Sequence, residues 1–196
     1  DLKSWLENVI WPIEAKLSGS DVYWGSMLAC LEMIKSGTTC FADMYYYEDK
    51  VAEAVKLSGI RAVLGQGLIE FGEKFEDKLR FKKMIEFAKR YNDQYEGRIK
   101  TSLAPHAIYT VSLDTLSLIA EEAKKLGVLI QFHLAESIEE TYRIKKKYGV
   151  TPVQLLLKIN FLDSNLIAAH CIHLTHEDMR ILARKKVKVS YNPVSN

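Results

Sequence analysis

Apolar segments alternate along the chain with amphipathic ones. The apolar segments are short, most follow a glycine or a polar turn, and their residues are continuously apolar. These features are typical of strands that are buried on both faces of a sheet. Six predicted strands lie at 38–44, 61–69, 99–104, 128–134, 166–172 and 187–191.

The segments between the predicted strands carry apolar residues at spacings of three and four, which predicts helices. The predicted helices cover 21–36, 49–58, 75–92, 113–126, 137–148, 151–159 and 176–186. An opening helix is predicted over 3–17, bent or divided at Pro12. Ser20, Ser112 and Thr175 are the expected N-cap residues of three helices.

Repeated strand–helix–strand order predicts a parallel sheet, either doubly wound or closed into a (β/α)8 barrel. No glycine-rich nucleotide-binding loop follows a predicted strand, so the doubly wound alternative loses support. A complete barrel needs about 250 residues and eight strands. We therefore expect an α/β fold that is the central portion of a TIM-type barrel. Residues 1–196 would form a single partial domain that lacks the first and last strands, truncated at both ends.

Composition narrows the functional classes. The chain has 27 Lys and Arg against 25 Asp and Glu, and 48% of its residues are hydrophobic, which excludes intrinsic disorder. A net charge of +2 gives no basic footprint for nucleic acid, and no apolar run is long enough to span a bilayer. Cys30, Cys40 and Cys171 are widely separated, which predicts reduced, buried thiols in a cytoplasmic protein.

Histidines mark the ends of three consecutive predicted strands. His106, His133 and His170 lie near the carboxyl ends, where the catalytic groups of parallel barrels gather. In the segment from His133 to Glu136, the imidazole suits Zn²⁺ and the carboxylate could move a proton of a metal-activated water. The alternative is that each histidine is simply hydrogen-bonded and that Glu136 favours the start of the next helix.

Five segments occur in one order and at fitting distances. They are 36–44 (SGTTCFADM), 105–110 (PHAIYT), 133–136 (HLAE), 168–173 (AAHCIH) and 192–196 (NPVSN). Together they closely resemble the amidohydrolase superfamily. Within it, the resemblance is to the 5′-methylthioadenosine/S-adenosylhomocysteine deaminases and their relatives that act on chlorotriazines and guanine. The resemblance covers essentially the whole chain, and it implies the barrel fold.

The resemblance also implies roles for four residues. His133 matches a zinc ligand, and Glu136 matches the proton shuttle that also holds the purine ring. His170 matches a histidine that positions the hydrolytic water or stabilises the tetrahedral intermediate. His106 matches a histidine that contacts substrate.

Three more candidate substrate-binding residues rest on the same resemblance. Trp5 matches a stacking aromatic and Glu14 a carboxylate for ribose hydroxyls, although both also fit a plain amphipathic helix. Gln66 stands where many adenosine-type deaminases have an arginine, which argues against a charged 5′-substituent because Gln cannot pair with a carboxylate as a guanidinium does. The tyrosines at 45–47 could line the cleft, but core packing is the favoured interpretation.

The family's His-x-His zinc pair and its strand-eight aspartate would lie outside residues 1–196. The chain then retains one of the four metal ligands that the resemblance implies, with His170 as a candidate second ligand. A catalytic zinc site usually needs three protein ligands. We therefore expect the chain alone to bind zinc weakly and to be inactive. Unpaired edges at 38–44 and 187–191 would favour a homo-oligomer, or else missing segments close the barrel.

These observations predict a zinc-dependent aminohydrolase that deaminates an adenosine-type nucleoside. Candidate substrates are 5′-methylthioadenosine, S-adenosylhomocysteine and 5′-deoxyadenosine, with one divalent metal per active site and iron or manganese as alternatives to zinc. The expected partner is a small-molecule nucleoside, with neither nucleic acid nor membrane. The alternatives are a guanine, cytosine or triazine amidohydrolase, or a non-catalytic truncated barrel fragment.

Overall fold

Six parallel strands form one sheet whose order follows the sequence. The computed structural model describes residues 2–195. The strands are β1 (Cys40–Tyr45), β2 (Arg61–Leu68), β3 (Ile99–Pro105), β4 (Leu129–Leu134), β5 (Leu166–His170) and β6 (Lys188–Ser190). Every neighbouring pair is parallel, which confirms the predicted strands and their order.

Within residues 2–195, seven helices of at least seven residues connect or precede the strands. They are α1 (Gly19–Lys35), α2 (Glu48–Ser58), α3 (Lys74–Tyr91), α4 (Leu113–Leu126), α5 (Ile138–Tyr148), α6 (Pro152–Lys158) and α7 (His176–Arg184), and a four-residue helical turn spans Gln94–Gly97. The opening segment is α-helical at Leu2–Trp5, π-helical at Leu6–Ile10 and α-helical at Trp11–Glu14. The predicted division is present as a change of helix type between Ile10 and Trp11, next to Pro12. Proline has no backbone N–H and cannot donate the hydrogen bond that a regular helix needs at its position.

The sheet curls into an open half-barrel. Gln131 on β4 donates from Nε2 to the carbonyl oxygen of Asp43 on β1 at 2.9 Å and to that of Val63 on β2 at 3.3 Å. Neighbouring strands lie about 4.8 Å apart, so one side chain could not reach a strand three places away in a flat sheet. The carboxyl ends of the parallel strands all lie at one end of this half-barrel, and the curl brings them close together.

The helices cover the convex face of the sheet and build a core in two parts. The larger cluster joins β2–β5 to α3–α7 around the buried rings of Phe132 and Phe161. The smaller cluster packs α1 and α2 against β2 around Cys30, Val55 and Leu64. No helix within 2–195 has a stretch long and apolar enough to cross a membrane.

Two local predictions were wrong. The first long helix is capped by Ser18 and not Ser20, because Ser18 forms a reciprocal capping box with Asp21. All three cysteines are free, but Cys40 is exposed. It begins β1, which lies at the edge of the sheet and has a neighbouring strand on one side only. The caps at Ser112 and Thr175 are confirmed.

Candidate active site

Three imidazoles gather at the carboxyl ends of β3, β4 and β5. His106 follows β3 directly, His133 is the penultimate residue of β4, and His170 ends β5. The ring centroids of His106 and His133 lie 4.9 Å apart, and those of His133 and His170 lie 5.5 Å apart. The parallel sheet therefore brings together three side chains that are far apart in sequence.

The ring of His133 is held by the backbone of His106. The His106 carbonyl oxygen accepts the backbone N–H of His133 at 3.0 Å and faces its Nδ1 at 2.9 Å. A carbonyl can only accept, so Nδ1 carries the proton and Nε2 keeps a free lone pair. Burial lowers the pKa of His133, against the smaller opposing effects of this hydrogen bond and of Glu136.

His106 is fixed by a second contact. Its Nδ1 lies 2.9 Å from the hydroxyl oxygen of Thr110. Burial and, to a lesser extent, the neighbouring His133 lower the pKa of His106 to about 3. The imidazole is therefore neutral at physiological pH.

Glu136 meets His170 across the ends of β4 and β5. The Oε1 atom of Glu136 lies 3.5 Å from Nε2 of His170, and both side chains are largely buried. Two backbone positions shape this approach, because Ala135 has a φ of 49° and His170 a φ of 73°. Both values lie in the left-handed region, which is uncommon for residues that carry a Cβ.

A second carboxylate lies under the turn that carries Glu136. Glu140 is 3% exposed, and its oxygens accept the backbone N–H groups of Ala135 and Glu136, each at 3.1 Å. Burial raises the pKa of Glu140 to about 7, although the backbone donors oppose the shift. Glu140 was not predicted as a site residue, although the pattern from Ser137 to Glu140 is that of an N-cap with an acidic third helical residue.

A cavity of about 170 Å³ opens beside the histidines, and we call it the histidine cavity. Its walls include the following residues: His106, His133, Glu14, Trp11, Tyr45 and Tyr46. Burial raises the pKa of Tyr45, and the neighbouring Glu14 carboxylate adds to this shift. Tyr45 and Tyr46 line this cavity, which was the less favoured of the two interpretations of the tyrosines at 45–47. Trp11 was not predicted as a site residue, although it lies three positions before Glu14 on the same helical segment.

Two predicted substrate contacts lie away from the histidine cavity. Gln66 lines a neighbouring cavity, which shares Glu14 with the histidine cavity and is also lined by Phe71 and Lys83. Trp5 is 51% exposed and is not among the residues that line the histidine cavity. The structure thus brings His106, His133, His170 and Glu136 together with Glu14 nearby, and it places Trp5 and Gln66 outside this group.

The amidohydrolase family profile matches residues 1–196. The chain belongs to the amidohydrolase family. A 5-methylthioadenosine/S-adenosylhomocysteine deaminase of Moorella thermoacetica is 49% identical over 195 residues, which are 100% of this chain and 45% of that protein. A 5′-deoxyadenosine deaminase of Methanosarcina acetivorans is 46% identical over 195 residues, with the same coverage of both proteins. This amidohydrolase chain therefore spans about half the length of the curated relatives it matches.

A solved structure supports the barrel assignment. The crystal structure of an adenosine deaminase from Xanthomonas campestris with bound zinc matches this chain with a TM-score of 0.91 at 31% identity. The match covers 100% of this chain and 45% of that one. The amidohydrolase chain thus has the fold of the corresponding part of a TIM-type barrel, as the sequence predicts.

The histidines of this amidohydrolase chain fit a metal only in part. A ligand histidine must be neutral and must offer an unprotonated nitrogen, and His133 meets both conditions. Residues 2–195 contain no group of three His, Cys, Asp or Glu side chains arranged to hold a metal ion. His133, with His170 beside it, can therefore supply part of a metal site but not a complete one.

Proposed function

We propose that this chain forms part of a zinc-dependent aminohydrolase that deaminates an adenosine-type nucleoside. The observation that carries the proposal is the convergence of His133, His170 and Glu136 at the carboxyl ends of β4 and β5. Two relatives at 46–49% identity, named as deaminases of 5′-methylthioadenosine/S-adenosylhomocysteine and of 5′-deoxyadenosine, support this substrate class. The metal ligands that this chain lacks would come from residues outside 1–196.

His133 would be one metal ligand, through the Nε2 atom that its bond to the His106 carbonyl leaves free. A bound zinc ion supplies an activated water whose pKa falls to about 7. Iron or manganese would serve the same purpose. The carbonyl of His106 keeps the ring in one orientation, so little reorganisation is needed when a ligand binds.

Glu136 would move the proton. Its carboxylate is the base that accepts a proton from the attacking water and passes it to the purine ring nitrogen. The second proton of the water then passes to the amino group, the carbon–nitrogen bond breaks and ammonia leaves. His170 Nε2, 3.5 Å from Glu136 Oε1, would donate a hydrogen bond to the oxygen on which negative charge develops as it adds to the ring carbon. Both groups are largely buried, and a dry site strengthens such interactions.

The histidine cavity would receive the nucleoside. Trp11, Tyr45 and Tyr46 give it aromatic walls that suit a flat purine, and His106 faces the same space. The Glu14 carboxylate could accept hydrogen bonds from ribose hydroxyls. Gln66 lies in the adjoining cavity and carries no charge, which favours a neutral 5′-substituent there. We keep Trp5 as a candidate stacking residue for the part of the substrate nearest the solvent.

Open edges on β1 and β6 support a further proposal, that the chain associates with other copies of itself. Each of these strands has one neighbour within the described sheet. Unpaired strand edges favour pairing with another chain. Light scattering of the purified chain would show a dimer or a larger species, and a monodisperse monomer would contradict this.

The test of function is deamination by a full-length protein that carries this chain. A chimera that places residues 1–196 in the Moorella relative would serve equally well. We expect ammonia release from 5′-methylthioadenosine, S-adenosylhomocysteine or 5′-deoxyadenosine. Glu136→Gln should lower kcat by about 100- to 10,000-fold, because an amide cannot transfer the proton.

Glu139→Gln is the matched control. It makes the same change three residues later, at an exposed position of α5. It should leave kcat unchanged. Near-normal turnover by Glu136→Gln would show that Glu136 is not the proton shuttle. Turnover of guanine, cytosine or triazines with no turnover of the nucleosides would contradict the proposed substrate class.

A further inference from the structure

Glu140, the third residue of α5, accepts different hydrogen bonds from the third residues of three other helices. In α1, α6 and α7 the third helical residue accepts the backbone N–H of the N-cap residue. The pairs are Ser18 with Asp21, Thr151 with Gln154 and Thr175 with Asp178. In α5, Ser137 accepts the Glu140 N–H as expected, but the Glu140 oxygens accept the N–H groups of Ala135 and Glu136, which precede the cap.

Ala135 is held from both sides in an unfavourable conformation. Its φ of 49° places its Cβ close to the backbone, so the conformation needs support from its surroundings. Glu140 accepts its N–H at 3.1 Å. The carbonyl oxygen of Ala135 accepts the N–H groups of Ile172 and His173, at 3.1 and 2.9 Å. The peptide groups of Ala135 thus join the loop that follows β4 to the loop that follows β5.

This connection lies directly between two proposed catalytic groups. Glu136 follows Ala135 in the first loop, and His170 is the last residue of β5, two positions before Ile172 in the second loop. One more bond joins the loops, because the N–H of Cys171 donates to the carbonyl oxygen of Leu134 at 2.9 Å. The 3.5 Å separation of Glu136 Oε1 from His170 Nε2 therefore depends on the conformation of both loops.

We propose that Glu140 is a positioning residue. Its buried carboxylate fixes the turn at 135–136 and, through the carbonyl of Ala135, the segment that follows His170. It thereby sets the distance between the Glu136 carboxylate and the His170 imidazole. The effect on catalysis rests on the function proposed above, whereas the effect on the two loops does not.

A purely structural role is the competing explanation, and Asp178 provides the matched control. Asp178 is 1% exposed and is the third residue of α7. Its oxygens accept from the N–H and the hydroxyl of Thr175 and from the hydroxyl of Thr151. It is therefore a comparably buried, hydrogen-bonded carboxylate, but its partners are the N-cap residues of α6 and α7. Thr175 lies at the far end of the loop that follows β5, and Asp178 accepts no hydrogen bond from Ala135, Glu136, Ile172 or His173.

The first experiment measures amide hydrogen exchange and needs no activity. In the wild-type protein the amides of Ala135 and Glu136 should exchange slowly, because a buried carboxylate accepts both. In Glu140→Gln at least one of them should exchange about 10-fold faster or more, since the side-chain NH₂ group of Gln cannot accept a hydrogen bond. The amides of Ile172 and His173 should also exchange faster. Asp178→Asn should affect Thr175 and leave these four amides unchanged.

The second experiment measures turnover by the full-length protein. Glu140→Gln should lower kcat by about 10- to 100-fold, because a catalytic group misplaced by about 1 Å costs that much. KM should change by less than about two-fold, since substrate contacts are retained. Glu140→Asp keeps two acceptor oxygens on a shorter side chain and should recover part of kcat. Asp178→Asn should leave both constants unchanged.

Each result decides one question. Unchanged kcat in Glu140→Gln, or an equal loss in Asp178→Asn, would overturn the positioning role. If no nucleoside is deaminated by the wild type, the proposed function fails, and the exchange experiment alone decides whether Glu140 fixes the loops. If Glu140→Gln does not fold, the wild-type protein still gives the answer, because fast exchange at Ala135 and Glu136 would overturn the proposal.

Discussion

Gly65 should tolerate no side chain, although its backbone has an ordinary strand conformation. It lies near the middle of β2, and a Cβ added there would overlap the Ser102 hydroxyl and come within 2.7 Å of the Ala104 Cβ on β3. Real Cβ atoms do not approach other atoms so closely, so Gly65→Ala must push β3 away or turn Ser102. Both atoms belong to β3, which pairs with β2 on one side and β4 on the other and therefore has little room to move.

The cost can be worked out from the contacts. Overpacking of a close-packed core costs about 1 to 3 kcal/mol. The Ser102 hydroxyl also accepts the Gln131 side-chain amide at 2.8 Å, and losing that bond adds about 1 kcal/mol. The lower chain entropy of Ala returns about 0.5 to 1 kcal/mol. We therefore expect Gly65→Ala to lower the free energy of unfolding by about 2 kcal/mol.

Urea unfolding followed by circular dichroism measures this change, and Gly67→Ala on the same strand is the control. A Cβ at Gly67 would meet its nearest atom, the Tyr45 carbonyl oxygen, at 3.4 Å, which is an ordinary contact. Gly67→Ala should therefore be neutral, or stabilising by up to about 1 kcal/mol. Replacing Ser102 by Ala in the Gly65→Ala background should restore part of the loss. If Gly65→Ala were as stable as Gly67→Ala, the packing argument would be refuted.

Two further predictions concern the reactivity of the cysteines and the titration of Glu48. Cys40 is exposed, whereas Cys30 is 1% exposed, and burial raises the pKa of Cys171 to about 12. Iodoacetamide should therefore alkylate Cys40 first, which peptide mass spectrometry would show. Burial, and to a lesser extent the charge of Asp43, raise the pKa of Glu48 well above its ordinary value, so the folded state favours the protonated form of Glu48. The stability that this protonated form contributes is therefore lost as pH rises above about 4.5, where the unfolded chain releases the proton. Glu48→Gln should therefore gain stability over the wild type between pH 5 and 7.5 in urea unfolding, and a difference that does not change with pH would contradict this.

The strands and helices could be predicted because their signals are local. A buried parallel strand is continuously apolar and a helix repeats every three to four residues, so each element can be recognised without its neighbours. The gathering of His106, His133 and His170 follows from the same pattern, since parallel strands end at one edge of the sheet.

The orientation of His170 could not be predicted in this way. Side chains alternate along a strand, so His170 has the same parity as Leu166 and Ala168, which are buried in the core beneath the helices. Its ring nevertheless lies 5.5 Å from that of His133, because a φ of 73° ends the regular alternation at this residue. No residue type in the sequence indicates that His170 has a left-handed backbone conformation.

The placement of Gln66 illustrates the opposite case. Gly67 lines the histidine cavity, so alternation along β2 directs Gln66 away from that cavity, and Gln66 lines the neighbouring one. The sequence contains this information, but the family resemblance assigns Gln66 by its position alone. Trp11 was missed, and core packing was favoured for Tyr45 and Tyr46, for a different reason. These rings meet only when the opening helical segment packs across the ends of the strands.

The left-handed residues at the ends of β4 and β5 link fold and site. Ala135, His170 and Cys171 all have positive φ, and each such residue is unfavourable on its own. The backbone bonds between the two loops offset this strain, because they satisfy N–H and carbonyl groups that the strands leave unpaired at their ends. The strained conformation and the bonds that hold it therefore occur together at the point where Glu136 and His170 meet. A change that loosens one loop should then move the proposed catalytic group on the other.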